Sequence, residues 1–225
     1  MEIKSYIVNM LQENTWVVRG EGASCVIVDP GFLGEEETSA VLEGLKGLHP
    51  EAILLTHGHM DHIYGVAELQ KRFNIPVYMS EEDVKTMEYL DRVSKFGIPA
   101  ADRSFNITPV SDGQTVEAAG LRFKVITTPG HSPGSICWLV EGEQALFTGD
   151  TLFAGAIGRT DLIYGEYDDE IRSIMEKLIL LDGDTRIYPG HGGTSTIGTE
   201  RVSNPFLEPF NEREEIPELN DYDKD

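Results

Sequence analysis

Apolar and polar positions along this chain fall into short blocks of differing period. Residues 3–8, 15–18 and 24–28 read as three strands, with Gly20-Glu21-Gly22 turning the second into the third. Residues 35–48 place Val41, Leu42, Leu45 and Leu48 at helical spacing and predict a helix. The apolar run Ala52-Ile53-Leu54-Leu55 then predicts a strand ending at Thr56, and Ile63, Val66, Ala67, Leu69 and Phe73 predict a further helix. Residues 76–79 read as a short strand, and Ser80 ahead of Glu81-Glu82-Asp83 as the N-cap of the next helix. Residues 91–106 show no period; they read as a surface connection, with a rim over a substrate as the alternative.

From residue 107 the chain becomes strand-rich, with strands expected at 115–118, 121–127, 135–140 and 144–148 between Gly-containing turns. Ile171, Ile174, Met175, Leu178 and Leu181 then mark one face of a helix over 168–181, and residues 186–188 a last short strand. Two blocks of strands, each accompanied by helices, predict sheet packed on sheet with helices outside.

Several strands end in the same manner. Thr56-His57, Thr128-Pro129-Gly130-His131, Thr148-Gly149-Asp150 and Tyr188-Pro189-Gly190-His191 each close a β-like run, and loops at strand ends can gather distant side chains at one edge of a scaffold. The densest is Thr56-His57-Gly58-His59-Met60-Asp61-His62, with three of the six histidines of the chain. On extended backbone His57 and His59 project to one side and can share an ion. Asp61 and His62, at the opening of a helix, aim elsewhere, so two directions predict two metals. Asp29 ends the third strand before Pro30-Gly31; it either fixes that turn or hydrogen-bonds a ligating histidine.

Composition narrows the partners. At 225 residues with 40% apolar and 25% charged positions, the chain suits one large domain or two small ones. The net charge of −21 repels a polyphosphate backbone and argues against nucleic acid. No apolar run is long enough to span a membrane, and the first residues lack the apolar core of a signal peptide, so a cytoplasmic protein is expected. Cys25 and Cys137 lie in separate β-like runs and read as buried, reduced thiols.

The cluster His57-Gly58-His59-Met60-Asp61-His62, with His131, Asp150 and His191 downstream, resembles the metallo-β-lactamase superfamily pattern in full. The resemblance covers residues 1–207 and implies an α+β fold, a four-layer αβ/βα sandwich of two mixed β-sheets packed face to face with helices outside. Residues 208–225, with eight acidic and two basic side chains, are left as a tail expected to be poorly ordered. Within the superfamily the chain is most similar to compact glyoxalase II-like (hydroxyacylglutathione hydrolase-like) thioester hydrolases. Thr128-Pro129-Gly130-His131-Ser132-Pro133-Gly134-Ser135, Gly149-Asp150-Thr151-Leu152-Phe153, Gly158-Arg159-Thr160-Asp161 and the stretch from Pro189 to Gly198 carry that likeness.

By that resemblance His57, His59 and His131 hold one metal, Asp61, His62 and His191 a second, and Asp150 bridges them. Zinc suits this set of nitrogen and oxygen donors, and iron or manganese accept similar ligands. A hydroxide between the ions would attack the acyl carbon of a small thioester or ester, with Asp61 and Asp150 as the catalytic carboxylates. Arg159 is expected to bind the substrate or, alternatively, to pair with Asp161; Tyr164 is a second substrate contact. Asp150 stands where zinc β-lactamases usually place a cysteine, which argues against antibiotic hydrolysis. The stretch after His191 is short beside the helical region that holds glutathione in full-length glyoxalase II, so thioester chemistry is expected more firmly than glutathione as the thiol. The rivals are a persulfide dioxygenase with a single iron, a lactonase or other small-ester hydrolase, and a non-catalytic metal-binding module. A monomer or small homo-oligomer is expected.

Overall fold

A computed structural model describes residues 1–93 and 99–208. The acidic tail from residue 209 onward, and residues 94–98 of the candidate substrate rim, lie outside the described residues.

Near-continuous apolar runs form strands covered on both faces, and the alternation within them sorts side chains between layers. One six-stranded sheet has the order β1 (Glu2–Val8), β2 (Glu13–Arg19), β3 (Ser24–Val28), β4 (His49–Leu54), β5 (Val77–Met79) and β6 (Ile107–Pro109). Its first three strands pair antiparallel and the remainder parallel. Parallel neighbours need crossovers. These are supplied by α1 (Gly34–Gly44), by α2 (Met60–Ile63) with α3 (Val66–Phe73), and by a 3-10 turn at Glu81–Asp83 running into α4 (Val84–Val93).

The second sheet contains β7 (Thr115–Ala118), β8 (Leu121–Thr127), β9 (Ile136–Val140), β10 (Ala145–Gly149), β13 (Arg186–Pro189) and β14 (Ser195–Thr196), in the order β14-β13-β10-β9-β8-β7. A small hairpin, β11 (Leu152–Phe153) with β12 (Ala156–Ile157), stands beside it. Helix α5 (Tyr167–Ser173) continues into a π-helical turn at Ile174–Leu178, and α6 (Ile197–Ser203) follows β14.

Trp16, Val18, Val26, Val28, Ala52 and Leu54 face Phe123, Val125, Ile136, Trp138 and Phe147 between the sheets. Their neighbours Val17, Ile27, Ile53 and Leu55 pack outward against α1, α3 and α4. On the far side Cys137, Leu146 and Ile187 meet Ile171, Ile174, Leu178 and Ile197. The result is the expected four-layer α+β sandwich. Two buried indoles join the sheets, because a buried N–H requires an acceptor. Trp16 Nε1 donates to Pro189 O at 3.1 Å and Trp138 Nε1 to Leu55 O at 3.0 Å. They fasten β2 to the end of β13 and β9 to the end of β4, the two strands that lead into His191 and His57.

Some expectations need correction. Helix α1 stops at Gly44, and Leu45–Leu48 turn back toward β4. Ser80 makes no side-chain cap; the residue that acts there is Asp83. Strands β6, β11, β12 and β14 were not expected, since two or three residues are too few to show a period. The strand over 52–56 begins earlier, at His49, and after Leu54 the chain crosses between sheets: Leu55 N donates to Tyr78 O, while Thr56 O accepts from Ile136 N.

Candidate metal centre

The strand-end rule places the candidate ligands at one edge of the sandwich. His57 and His59 follow β4, Asp61 and His62 lie in α2, His131 is in the β8–β9 loop, Asp150 follows β10 and His191 follows β13. His49, exposed at the start of β4, is the one histidine outside the group.

The ligand atoms form two sets. His57, His59 and His131 each present a nitrogen within 4.8 Å of the others, as do the ligand atoms of Asp61, His62 and His191. His59 Nδ1 lies 3.0 Å from His57 Nε2 and 2.8 Å from His131 Nε2. Asp150 stands between the sets: Oδ2 is 3.6 Å from His131 Nε2 and 3.5 Å from His191 Nε2, and Oδ1 is 3.3 Å from His62 Nε2. Asp61 Oδ2 lies 3.3 Å from His191 Nε2.

The outer hydrogen bonds fix the tautomers. Thr56 Oγ1 donates to Asp29 Oδ2 at 2.6 Å, so it accepts from His57 Nδ1 at 3.0 Å. His62 Nδ1 donates to Asp29 Oδ2 at 3.1 Å, His131 Nδ1 to Arg159 O at 2.8 Å and His191 Nδ1 to Leu11 O at 3.1 Å. Each of the four rings thereby turns its Nε2 inward, with a lone pair exposed wherever the ring is neutral, the arrangement by which metal-binding imidazoles are oriented. Lone pairs converging in this way repel unless a cation lies among them. Buried His62 Nε2 and Asp150 Oδ1 also have no hydrogen-bond partner, which a divalent ion would supply.

Charge follows the same division. Burial, then the neighbouring His62, hold His57 well below the usual imidazole range, and burial with His131 lowers His59 to about 3. Both are neutral, as ligands must be. Burial opposes protonation of His191 too, but hydrogen bonds to Asp150 and Asp61 outweigh it and raise the ring to about 9.

Several further residues support the candidate ligands, and of these Asp83 and Asn14 carry no signal in the sequence pattern. Asp29, expected either to fix its turn or to hydrogen-bond a ligating histidine, sits at φ 47°, and its carboxylate accepts the Thr56 N–H at 2.7 Å and His62 Nδ1 at 3.1 Å. Buried Asp83 accepts from Gly58 N at 2.5 Å, Gly134 N at 2.9 Å and Thr86 Oγ1 at 3.1 Å, tying the loop of His57 and His59 to that of His131. Asn14 Nδ2 donates to Pro189 O and Gly192 O on either side of His191. Glu170 Oε2 accepts from His131 N at 2.8 Å, and burial pushes its carboxyl up to about 9. A Glu in register with Ile174 one turn on lies on the apolar stripe of its helix, and that was the available clue.

The expected substrate contacts fare differently. The Arg159 guanidinium forks onto Asp161 at 2.8 and 2.9 Å, so of its two anticipated roles the structure shows the ion pair, while its carbonyl orients His131. Tyr164 is exposed at φ 67°, a left-handed conformation that is strained for a bulky side chain.

Comparison with known proteins places these features. The sequence profile of the metallo-beta-lactamase superfamily matches residues 8–191. Hydroxyacylglutathione hydrolase GloC of Haemophilus influenzae is 36% identical over 214 residues, 92% of this chain and 98% of the relative. Among solved structures, BLEG-1 B3 metallo-beta-lactamase superposes with a TM-score of 0.83 at 34% identity, covering 92% of this chain and 99% of that one. TTHA1623 in a di-iron-bound form superposes with a TM-score of 0.80 at 36% identity, covering 91% and 100%.

Proposed function

The chain belongs to the metallo-β-lactamase superfamily, and on that premise we propose a dinuclear metal-dependent hydrolase of the glyoxalase II-like type, acting on S-lactoylglutathione or a related small thioester. The observation that carries this reading is the convergence of two complete ligand sets on one shared carboxylate, Asp150. His57, His59 and His131 would hold one ion, Asp61, His62 and His191 the other, with zinc, iron and manganese all compatible with the donors. When bound, such a pair supplies a hydroxide at neutral pH and positive charge where the acyl oxygen becomes an oxyanion.

The remaining work falls to the chain. Asp61, whose Oδ2 lies 3.3 Å from His191 Nε2, would orient the attacking oxygen and take its proton. A thiolate leaves without a dedicated acid. Asp29, Thr56, Asp83 and the Arg159 carbonyl hold the imidazoles in position, so the donors need no rearrangement during reaction. The similarity to GloC over nearly its whole length supports the thioester, and the complete second set supports hydrolysis over a dioxygenase with one iron.

The test is thiol release from S-lactoylglutathione by metal-loaded protein, before and after chelation. Release that stops with the chelator and returns with added zinc, iron or manganese supports the proposal. Absence of release from a protein loaded with about two metals per chain, with oxygen uptake on a persulfide, refutes it.

A further inference from the structure

The two loops that flank the metal centre share a property that metal binding does not require. On one side, the turn at residues 9–12 is fixed to the centre: Asn9 Nδ2 donates to Asp61 O at 3.0 Å, and Leu11 O accepts from His191 Nδ1. At the His131 end of the centre, residues 160–165 are held at both ends by the His131 loop, through Arg159 O to His131 Nδ1 and Glu166 N to Gly130 O. Eleven large apolar side chains are exposed among the described residues, and five of them, Met10, Leu11, Leu162, Ile163 and Tyr164, stand on these two short loops. In a chain of net charge −21 that is a marked concentration, and exposed apolar clusters beside a reactive centre signal a ligand.

Both loops also contain residues in left-handed backbone, which Asn tolerates and which is strained for Tyr164. Asn9 at φ 52°, Gln12 at φ 58° and Tyr164 at φ 67° all lie in the left-handed region. Such conformations persist where surrounding structure imposes them, and they cluster at ligand clamps. Meanwhile Arg159, whose carbonyl meets His131, has its guanidinium paired with Asp161.

Building on the hydrolase reading above, we propose that the acyl group of the substrate is an uncharged aliphatic chain of several carbons, seated between the 9–12 turn and the 160–165 loop. Hydrolysis would bring the acyl carbon to the ions held by these residues; water supplies the new C–O bond, the C–S bond breaks, and the products are a carboxylate, a thiol and one proton. The chain attached to that carbon extends along the apolar rim, and Met10, Leu11 and Ile163 set the preference for its length.

The experiment uses metal-loaded protein and thioesters of one thiol, N-acetylcysteamine, with straight acyl chains of two, four, six and eight carbons. The expected kcat/KM rises roughly two- to four-fold per added methylene until the rim is filled, as apolar burial dictates. In a Met10→Ser/Ile163→Ser double variant that retains its metal content, the ratio of eight-carbon to two-carbon kcat/KM falls by about five-fold or more. Turnover that is indifferent to chain length overturns the acyl proposal and leaves the hydrolase standing. Failure to hydrolyse any member of the series by protein that still releases thiol from S-lactoylglutathione overturns the acyl proposal and leaves the hydrolase standing, whereas failure on both with both ions bound overturns the two together.

Discussion

Replacing Asp83 with Ala removes a carboxylate that touches no candidate ligand, yet it is expected to weaken one half of the metal centre. Asp83 is fully buried and accepts the N–H groups of Gly58, between His57 and His59, and of Gly134, three residues after His131. The turn that carries it presses on both loops: a Cβ at Gly58 would lie 2.7 Å from Met87 Cγ, and one at Gly134 2.7 Å from Asp83 Cβ. Among the described residues no other acceptor is in place for either N–H. Each stranded buried donor costs about 1–3 kcal/mol, so the pair costs about 2–6 kcal/mol, with water entering the new space favouring the lower half. For a chain of this size that is a fall in Tm of roughly 5–15 °C in the metal-free protein. Asp83→Asn keeps one acceptor and should fall between. Loss of such outer support typically weakens metal binding about 10–100-fold, and the loss here should be confined to the ion held by His57, His59 and His131. Competition with a chromophoric chelator, resolving the two ions, measures it. An Asp83→Ala protein that melts within about 2 °C of the parent and binds both ions within about three-fold would refute the reasoning.

Asp150→Ala, which removes the one group facing both sets, should abolish retention of two metals and thiol release together, read by elemental analysis and the thiol assay; full activity would overturn its bridging role. In the metal-free protein, NMR titration of the imidazoles should find His59 neutral down to about pH 3 and His191 protonated up to about pH 9. The signs have opposite consequences for stability. Against the ordinary value of 6.5, the depressed His59 makes the unfolded chain the better proton binder, so its share of stability is lost as pH falls below 6.5. The elevated His191 contributes stability that is complete below 6.5 and lost as pH rises through about 9. A His59 ring that titrates near 6.5 would show that it is not enclosed with the other imidazoles.

What could be read from the sequence was whatever recurs or clusters locally. The doubly buried strands declare themselves as near-continuous apolar runs, and the ligands declare themselves because each ends such a run. The supporting residues do not. Asp83 acts on Gly58 and Gly134, 25 and 51 positions away, and nothing in Ser80-Glu81-Glu82-Asp83 distinguishes it from the polar first turn of a helix. The same stretch suggested a cap by Ser80 because Ser and acids usually serve the helix they precede; here the acid turns away to serve two other loops. Asn14 is a single amide in a strand, and its partners are 175 and 178 residues distant. The contribution of Arg159 to the centre comes from its carbonyl, which every residue possesses, while its side chain is taken up by Asp161.

The most direct test of the dinuclear account is stepwise return of zinc to metal-stripped protein, with thiol release from S-lactoylglutathione followed at each addition. Two sets joined by Asp150 predict a rate that climbs until about two ions are bound per chain and then stays level. Saturation at about one ion, or hydrolysis that survives complete stripping, would contradict it.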